Sequence, residues 1–576
     1  MTLTEALKIL QTPAPDGAAT LDIFLACGFT PLHLKTLLEA RLRQLLPDRR
    51  INVSTGLYGD LAGSVEQIRA AGANGAAVIV EWEDLDPRLG RRRLAAWSPE
   101  TAEDVMQSVA GQLNRLRRAL GAAEGRIALA APSLPLPPLA HTPTWQSSRL
   151  ELELRRATAE FAAWAASRPD IRVVSPQQLD NDSAPAARYD INADIVSGFP
   201  YTVAHASVLA RSLALLIADP VPKKGLITDL DNTLWSGIVG EVGAANVCWD
   251  LDRGGHIHAL YQQLLGALAA EGVLIGIASK NDPASAAEAL RRKDLLIPAE
   301  RMWPVEVQWG PKSEAVARIL RSWNISADSV VFVDDSPMEL AEVQAAHPAL
   351  ECILFPSADC NAALRLFQTL RDRFGKAALR EEDALRLDSL RRAAEVEQQR
   401  EAGGYTPDAF LERAGAKIGL SFALPPEPRA LELINKTNQF NLNGRRYTDS
   451  EWNALVARPS TVILTADYRD RYGPLGKIAV LAGQLAGKQL TVSSFVMSCR
   501  AFSRRIEHRC LEQLFTRFDL DEMVFDYAET PRNGPLREFL REISGSAPHA
   551  GLRLSRETFF ARCPSLFSDV YEVIAA

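Results

Sequence analysis

The chain has 576 residues, 47% of them hydrophobic and 23% charged, which exceeds the size of one hydrophobic core and excludes a disordered or fibrous protein. The formal net charge of -7 argues against a nucleic-acid partner, and no apolar run reaches the length of a membrane span. The seven cysteines form no CxxC pair, and Met1 to Gly17 lacks a basic start followed by an apolar stretch, so the expected setting is a reducing cytoplasm without structural zinc.

Residues 1–220 read as one α/β domain. Leu21 to Cys27, Ile51 to Val53, Ala76 to Glu81 and Arg126 to Ala130 are apolar runs of strand length, separated by helical patterns near 31–46, 61–71, 101–120 and 148–167. Thr30 and Pro31 form a helix start, and Ser197 to Ala218 supplies a final apolar helix. Alternation of this kind predicts a parallel sheet wrapped by helices.

Residues 221–356 form a second unit of the same class. Gly225 to Thr228 is a buried-strand run that empties into Asp229-Leu230-Asp231-Asn232-Thr233. Two carboxylates spaced two apart at a strand's C-terminal end sit in the crevice where open parallel sheets bind ligands; one can attack an electrophile while the other manages the proton, and both help hold a hard cation. An Asp-Asn turn is the plainer alternative. Val273 to Ala278 ends in Ser279-Lys280-Asn281, Trp309-Gly310-Pro311 precedes Lys312 and Ser313, and Ser329 to Val333 ends in Asp334-Asp335-Ser336-Pro337. Three strands thus deliver polar residues to one rim.

These four segments, in this order, are similar to the motifs of the haloacid dehalogenase superfamily of phosphotransferases. The resemblance implies that Asp229 is a nucleophile that forms an aspartyl phosphate and that Asp231 is its acid and base. It implies further that Asp229, Asp231 and Asp334 hold Mg2+, with Asp335 as a further contributor, and that Ser279, Lys280, Asn281 and Lys312 bind phosphate. Only 48 residues separate Asp231 from Ser279 and 33 separate Ser279 from Lys312, which leaves no room for an inserted cap and predicts a site open to solvent.

Leu230 to Trp235, Gly237, Val239-Gly240-Glu241, Ser279-Lys280-Asn281 and Phe332 to Pro337 resemble the FkbH-like branch of polyketide pathways. That resemblance implies a glyceryl-type unit taken from 1,3-bisphosphoglycerate or a related acyl phosphate, loss of phosphate, and loading of the acyl group on the phosphopantetheine thiol of an acyl carrier protein. The first domain resembles SGNH hydrolases in element order only. Gly28-Phe29-Thr30 stands where their nucleophilic serine belongs, and His205 falls inside the last helix, so a non-catalytic role is expected.

Residues 357–404 read as a charged helical connector, and 405–576 as an α+β domain with strands at Thr461–Ala466, Lys477–Ala482, Gln489–Met497 and Glu522–Tyr527. Lys436 to Asn441 and Met497-Ser498-Cys499-Arg500 make this region similar to the acetyltransferase-like half of FkbH-like proteins. The whole reading is therefore a capless HAD-like Rossmannoid domain between SGNH-like α/β and GNAT-like α+β domains. The resemblance implies an acyl or pantetheine site at Asn438, Asn441, Arg500 and Arg504, with Cys499 carrying the acyl group and Cys248 as the other candidate thiol. Ser503 and Arg505 stand where the family pattern has glycines, which weighs against coenzyme A. A plain magnesium-dependent phosphatase and a non-catalytic carrier-docking protein are the alternative functions.

Overall fold

The computed structural model describes residues 1–91, 101–137, 142, 143, 145–376, 387, 390, 391, 407–471, 473–498, 501, 502 and 504–573. They form two compact units, Met1–Pro220 with Thr448–Ser450, and Val221–Tyr447 with Glu451–Ala576. No helix among the described residues is long and apolar enough to cross a membrane.

The first unit is built on a parallel sheet of β1 (Thr20–Ala26), β2 (Arg50–Thr55), β3 (Gly75–Ile79), β4 (Arg126–Ala130) and β5 (Ile171–Val173), in the order β2-β1-β3-β4-β5. Every residue of β3 is buried, as expected of a central strand with helices on both faces. The four expected strands are present within a residue or two, and β5 is an addition. Pro31, not Thr30, occupies the N-cap of the helix Leu32–Leu45, and no side chain caps it.

The C-terminal rim of this sheet is filled by the protein's own polar groups. Just past β3, the buried Glu81 carboxylate accepts bonds from the amides of Ser133 and Leu134, from the Ser133 hydroxyl at 2.6 Å and from the Tyr201 hydroxyl at 2.7 Å. His205 lies in the first turn of the helix Val203–Ala218, where Thr202 caps the chain, and so faces this rim. Its Nε2 is 3.0 Å from Ser133 Oγ and its Nδ1 is 2.9 Å from Ser183 Oγ. The helix therefore brings an imidazole to a serine. The Ser133 proton is directed at Glu81, however, so His205 donates to this serine rather than deprotonating it.

Burial, and after it the Arg188 guanidinium, hold the His205 pKa down at about 3 from an ordinary 6.5. The unfolded chain binds a proton there that the fold refuses, so this contribution to stability is complete above pH 6.5 and is lost as pH falls toward 3. Between pH 6.5 and 5 the loss is about 2 kcal/mol, from about 1.4 kcal/mol per pH unit. Urea unfolding of the unchanged chain and of His205→Gln at both pH values measures it; the variant is expected to lose the acid-induced drop assigned to this ring.

In the second unit a parallel sheet runs β10-β9-β6-β7-β8, with β6 (Gly225–Thr228), β7 (Leu274–Ser279), β8 (Met302–Val307), β9 (Val330–Asp334) and β10 (Glu351–Leu354). Gly225 and Gly276 let Trp323 of the helix Lys312–Trp323 lie against the sheet, since a Cβ on either would come within 2.8 Å of the indole. The helix Cys360–Phe374 covers part of the span expected to be a connector, and 377–386, 388, 389 and 392–404 lie outside the described residues.

A mixed sheet follows in the same unit: β11 (Lys417–Ser421), β12 (Phe440–Asn441), β13 (Thr461–Asp470), β14 (Gly473–Ala486), β15 (Gln489–Met497), β16 (Glu522–Phe525), β17 (Leu552–Ser555) and β18 (Asp569–Glu572). Its order is β17-β16-β15-β14-β13-β11-β18. The neighbours β15 and β16 are parallel and stay paired only to Val492 and Phe525. Beyond that point β12 pairs with β15 at Val496 and Met497.

Candidate active site

The site forms where β6, β7 and β9 end together. The amide of Asp229 bonds the Val333 carbonyl, which fixes the end of β6 against β9, and Thr228 behind it is fully buried and hydrogen-bonded to Tyr261. Asn232 takes a left-handed turn at φ 52°, a conformation asparagine tolerates, and its side chain accepts the Gly237 amide. That turn sends the next residues back over the rim.

Lys312 opens its helix at the same rim and is 4% exposed. Its ammonium is 2.5 Å from Asp334 Oδ2 and 3.1 Å from Asp229 Oδ1. Asp334 Oδ1 accepts the Ser336 amide. Carboxylate oxygens of Asp229, Asp334 and Asp335 lie within 4.8 Å of one another. Burial pushes the Asp229 carboxyl up to about 7, with Lys312 pulling it down and Asp334 pushing it further up. Burial opposes the Lys312 ammonium, but Asp229 and Asp334 outweigh it and its pKa rises. Asp335 is also raised, by burial and then by Asp334.

One ammonium does not balance three carboxylates at this spacing, and Asp229 Oδ1 is buried without an aligned hydrogen bond. A buried carboxylate oxygen that meets the Lys312 ammonium at 3.1 Å, beside two further carboxylates, suits a hard divalent cation, which takes oxygen donors. The acidic set differs from the expected one. Asp231 is not in it, because its Oδ1 accepts from Trp235 Nε1 and the Val239 amide and its Oδ2 accepts from Asn281 Nδ2 at 2.9 Å. Asp335, expected as a further contributor, lies with Asp229 and Asp334. Three donors instead hold Asp231 in one orientation beside Asp229.

The other expected residues divide. Ser279 is buried at the end of β7 and accepts from Asn281 at 3.1 Å, so both face the carboxylates. Lys280 points elsewhere: its ammonium is 2.8 Å from Glu339, a partner that the sequence reading missed. Glu339 follows the capping Ser336 by three residues, and that spacing was the available signal.

In the mixed-sheet region the described residues named for the acyl site each have partners close by. Asn441 is buried and spends its side chain on Thr437, Asn443 and Gly444 of its own turn. Asn438 accepts the Arg446 guanidinium at 2.6 Å. Arg504 lies 3.7 Å from Asp470 and over the Tyr468 ring, while Arg505 bonds Asp408 and the Ser565 carbonyl. Cys499 and Arg500 lie outside the described residues. Cys248 is buried, its main chain bridged to Ser236.

No protein-family model matches the sequence, and no curated protein matches it. Among solved structures the chain is similar to the N-terminal part of the protein BF1531 from Bacteroides fragilis, described as containing a phosphatase domain complexed with Mg. The TM-score is 0.56 at 18% identity, over 66% of this chain and all of that one. The chain thus shares its fold with that protein, mixed α/β with parallel sheets. An uncharacterized protein from Corynebacterium glutamicum matches over 27% of this chain and 98% of its own at 18% identity, with a TM-score of 0.20, too low to argue from.

A cation at the three carboxylates would stabilise the fold by mass action, by about 2.7 kcal/mol at a hundred times its dissociation constant. Melting curves over a magnesium titration should rise for the unchanged chain. They should rise far less for Asp334→Asn and Asp335→Asn, and flat curves for the unchanged chain would count against a cation site here.

Proposed function

We propose that the chain is a magnesium-dependent phosphatase of the haloacid dehalogenase type, joined to an acyltransferase of the FkbH-like kind. In this reading it takes a glyceryl-type unit from 1,3-bisphosphoglycerate or a related acyl phosphate and loads it on the phosphopantetheine thiol of an acyl carrier protein in polyketide biosynthesis. The observation that carries the phosphatase half is the convergence of Asp229, Asp334, Asp335 and Lys312 at one buried rim. The Mg in the structurally similar phosphatase domain supports the choice of metal.

Bound magnesium, held by Asp229, Asp334 and Asp335, supplies positive charge that lets an anionic nucleophile approach a phosphoryl group. Asp229 is the carboxylate that attacks phosphorus, and Lys312 and Ser279 face the phosphoryl oxygens. Asp231, already fixed by Trp235, Val239 and Asn281, gives its proton to the leaving oxygen and later takes one from water. The acyl group is then passed through a thioester, for which Cys499 is the thiol the sequence favours. The engagement of Asn438 and Asn441 in their own loops favours a second reading, a plain phosphatase whose mixed-sheet region selects the substrate.

Asp229→Asn should form no phosphoenzyme. Asp231→Asn should form it and hold it, with turnover lower by about 10²–10⁴-fold. Equal phosphoenzyme in both variants would mean that the two roles are misassigned. Mass spectrometry of a carrier protein incubated with the unchanged chain, 1,3-bisphosphoglycerate and magnesium separates the two readings: an acylated prosthetic arm is expected, and phosphate release without it leaves the plain phosphatase.

A further inference from the structure

A groove beside the carboxylate site has no part in the chemistry described so far. It lies at one edge of the second parallel sheet, between the helix Pro283–Leu290 and the edge strand β8, and has a volume of about 360 Å3. Sites that hold small organic ligands run from about 300 to 1,000 Å3 and are mostly apolar with a few polar groups. The walls here are of that kind: Pro283, Ala287 and Leu290 from the helix, and Met302, Val305 and Val307 from β8. Ala287 is half-buried and sets only a methyl group on the wall, so the space between helix and strand stays open.

The two ends of the groove differ. At one end Val307 pairs in register with Ser279, and the Gln308 amide bonds the Ser279 carbonyl at 3.1 Å. Pro283 stands two residues beyond Asn281, whose side chain meets both Ser279 and Asp231. This end therefore lies beside the residues proposed to face a phosphoryl group. At the other end are Leu290, Met302 and the exposed Arg291, which closes the helix as its C-cap residue. From Met302 to Val307 the strand advances by five residues, about 17 Å at 3.3 Å each. A compact donor such as 1,3-bisphosphoglycerate has no apolar part to lay along such a wall. An extended chain with an apolar middle and an anionic group at each end matches it, one anion at the carboxylate rim with its cation and the other at the guanidinium.

We propose that this groove holds a phosphopantetheine-type arm that already carries a 3-phosphoglyceryl group as its thioester, with the phosphate of the arm itself at Arg291. The inference rests on the proposed function and adds an order of events to it. Acyl transfer to the carrier thiol comes first, and Asp229 then acts on the arm-bound thioester rather than on the free donor. In that step a bond forms from the Asp229 carboxylate to phosphorus. The bond from phosphorus to the glyceryl oxygen breaks with its electron pair, and that oxygen takes the Asp231 proton. Water then displaces Asp229 from phosphorus and gives a proton to Asp231, and the thioester is left intact.

The test uses the full chain with magnesium and two synthetic thioesters of 3-phosphoglycerate, and reads phosphate release. One thioester is on N-acetylcysteamine; the other is on phosphopantetheine whose own phosphate is blocked as its methyl diester, so that only the glyceryl phosphate can be released. The unchanged chain should favour the long thioester in kcat/KM by about tenfold or more, with the gain in KM. That ratio should fall toward one in Ala287→Leu, which fills the groove, and in Arg291→Gln, which removes the charge at its far end. Equal kcat/KM for the two thioesters in the unchanged chain would overturn the inference and leave the phosphatase reading standing. A preference kept in full by both variants would place the arm elsewhere and overturn it as well. Release of phosphate from neither thioester by the unchanged chain would remove the phosphatase reading and this inference with it.

Discussion

Repulsion among carboxylates shapes the centre of this protein. Asp229, Asp334 and Asp335 are gathered where water is scarce, and Lys312 stands against Asp229 and Asp334 with opposite charge. Much of the surrounding structure serves to hold that arrangement: the register of β6 on β9, the Tyr261 to Thr228 contact beneath it, and the Ser336 amide on Asp334. A buried group of like charges persists only if something compensates it, and here the compensation is incomplete without a cation. The buried Asp229 oxygen, which meets the Lys312 ammonium at 3.1 Å without an aligned hydrogen bond, is the local sign of that deficit.

Strands β6, β7 and β9 were legible in the sequence because each is a short apolar run ending abruptly in polar residues. Strand β8 was not, because Trp303-Pro304 interrupts it and proline argues against a strand; β8 lies at the sheet's edge, where proline is tolerated. Strand β5 has only three residues, and β10 opens on the charged Glu351 and does not end in a polar cluster of the kind that marks β6, β7 and β9. At the site, spacing told which residues reach the rim but not which way each carboxylate turns. The Asp231 side chain is directed by Trp235 and Val239, donors from the turn that follows it. Lys280 shows the same limit, since its partner Glu339 is 59 residues away.

In the mixed-sheet region the asparagines of one motif also have a structural use. Asn438 and Asn441 were singled out as ligand-binding residues, and both are spent on closing their own turn and anchoring Arg446. Closing that turn delivers Phe440 and Asn441 to β15 as β12. The polar residues of the motif thus do the work of positioning an aromatic one, whose ring meets Phe495, Phe502 and Phe539.

The first sheet tells a different story at its ligand-binding end. Two consecutive amides, a serine hydroxyl and a tyrosine hydroxyl converge there on one carboxylate, and that carboxylate is Glu81. The rim of this sheet is thus closed from within, by a covalently tethered acid held in a cradle of donors. Loss of one side chain would leave four donors facing a vacancy of carboxylate shape.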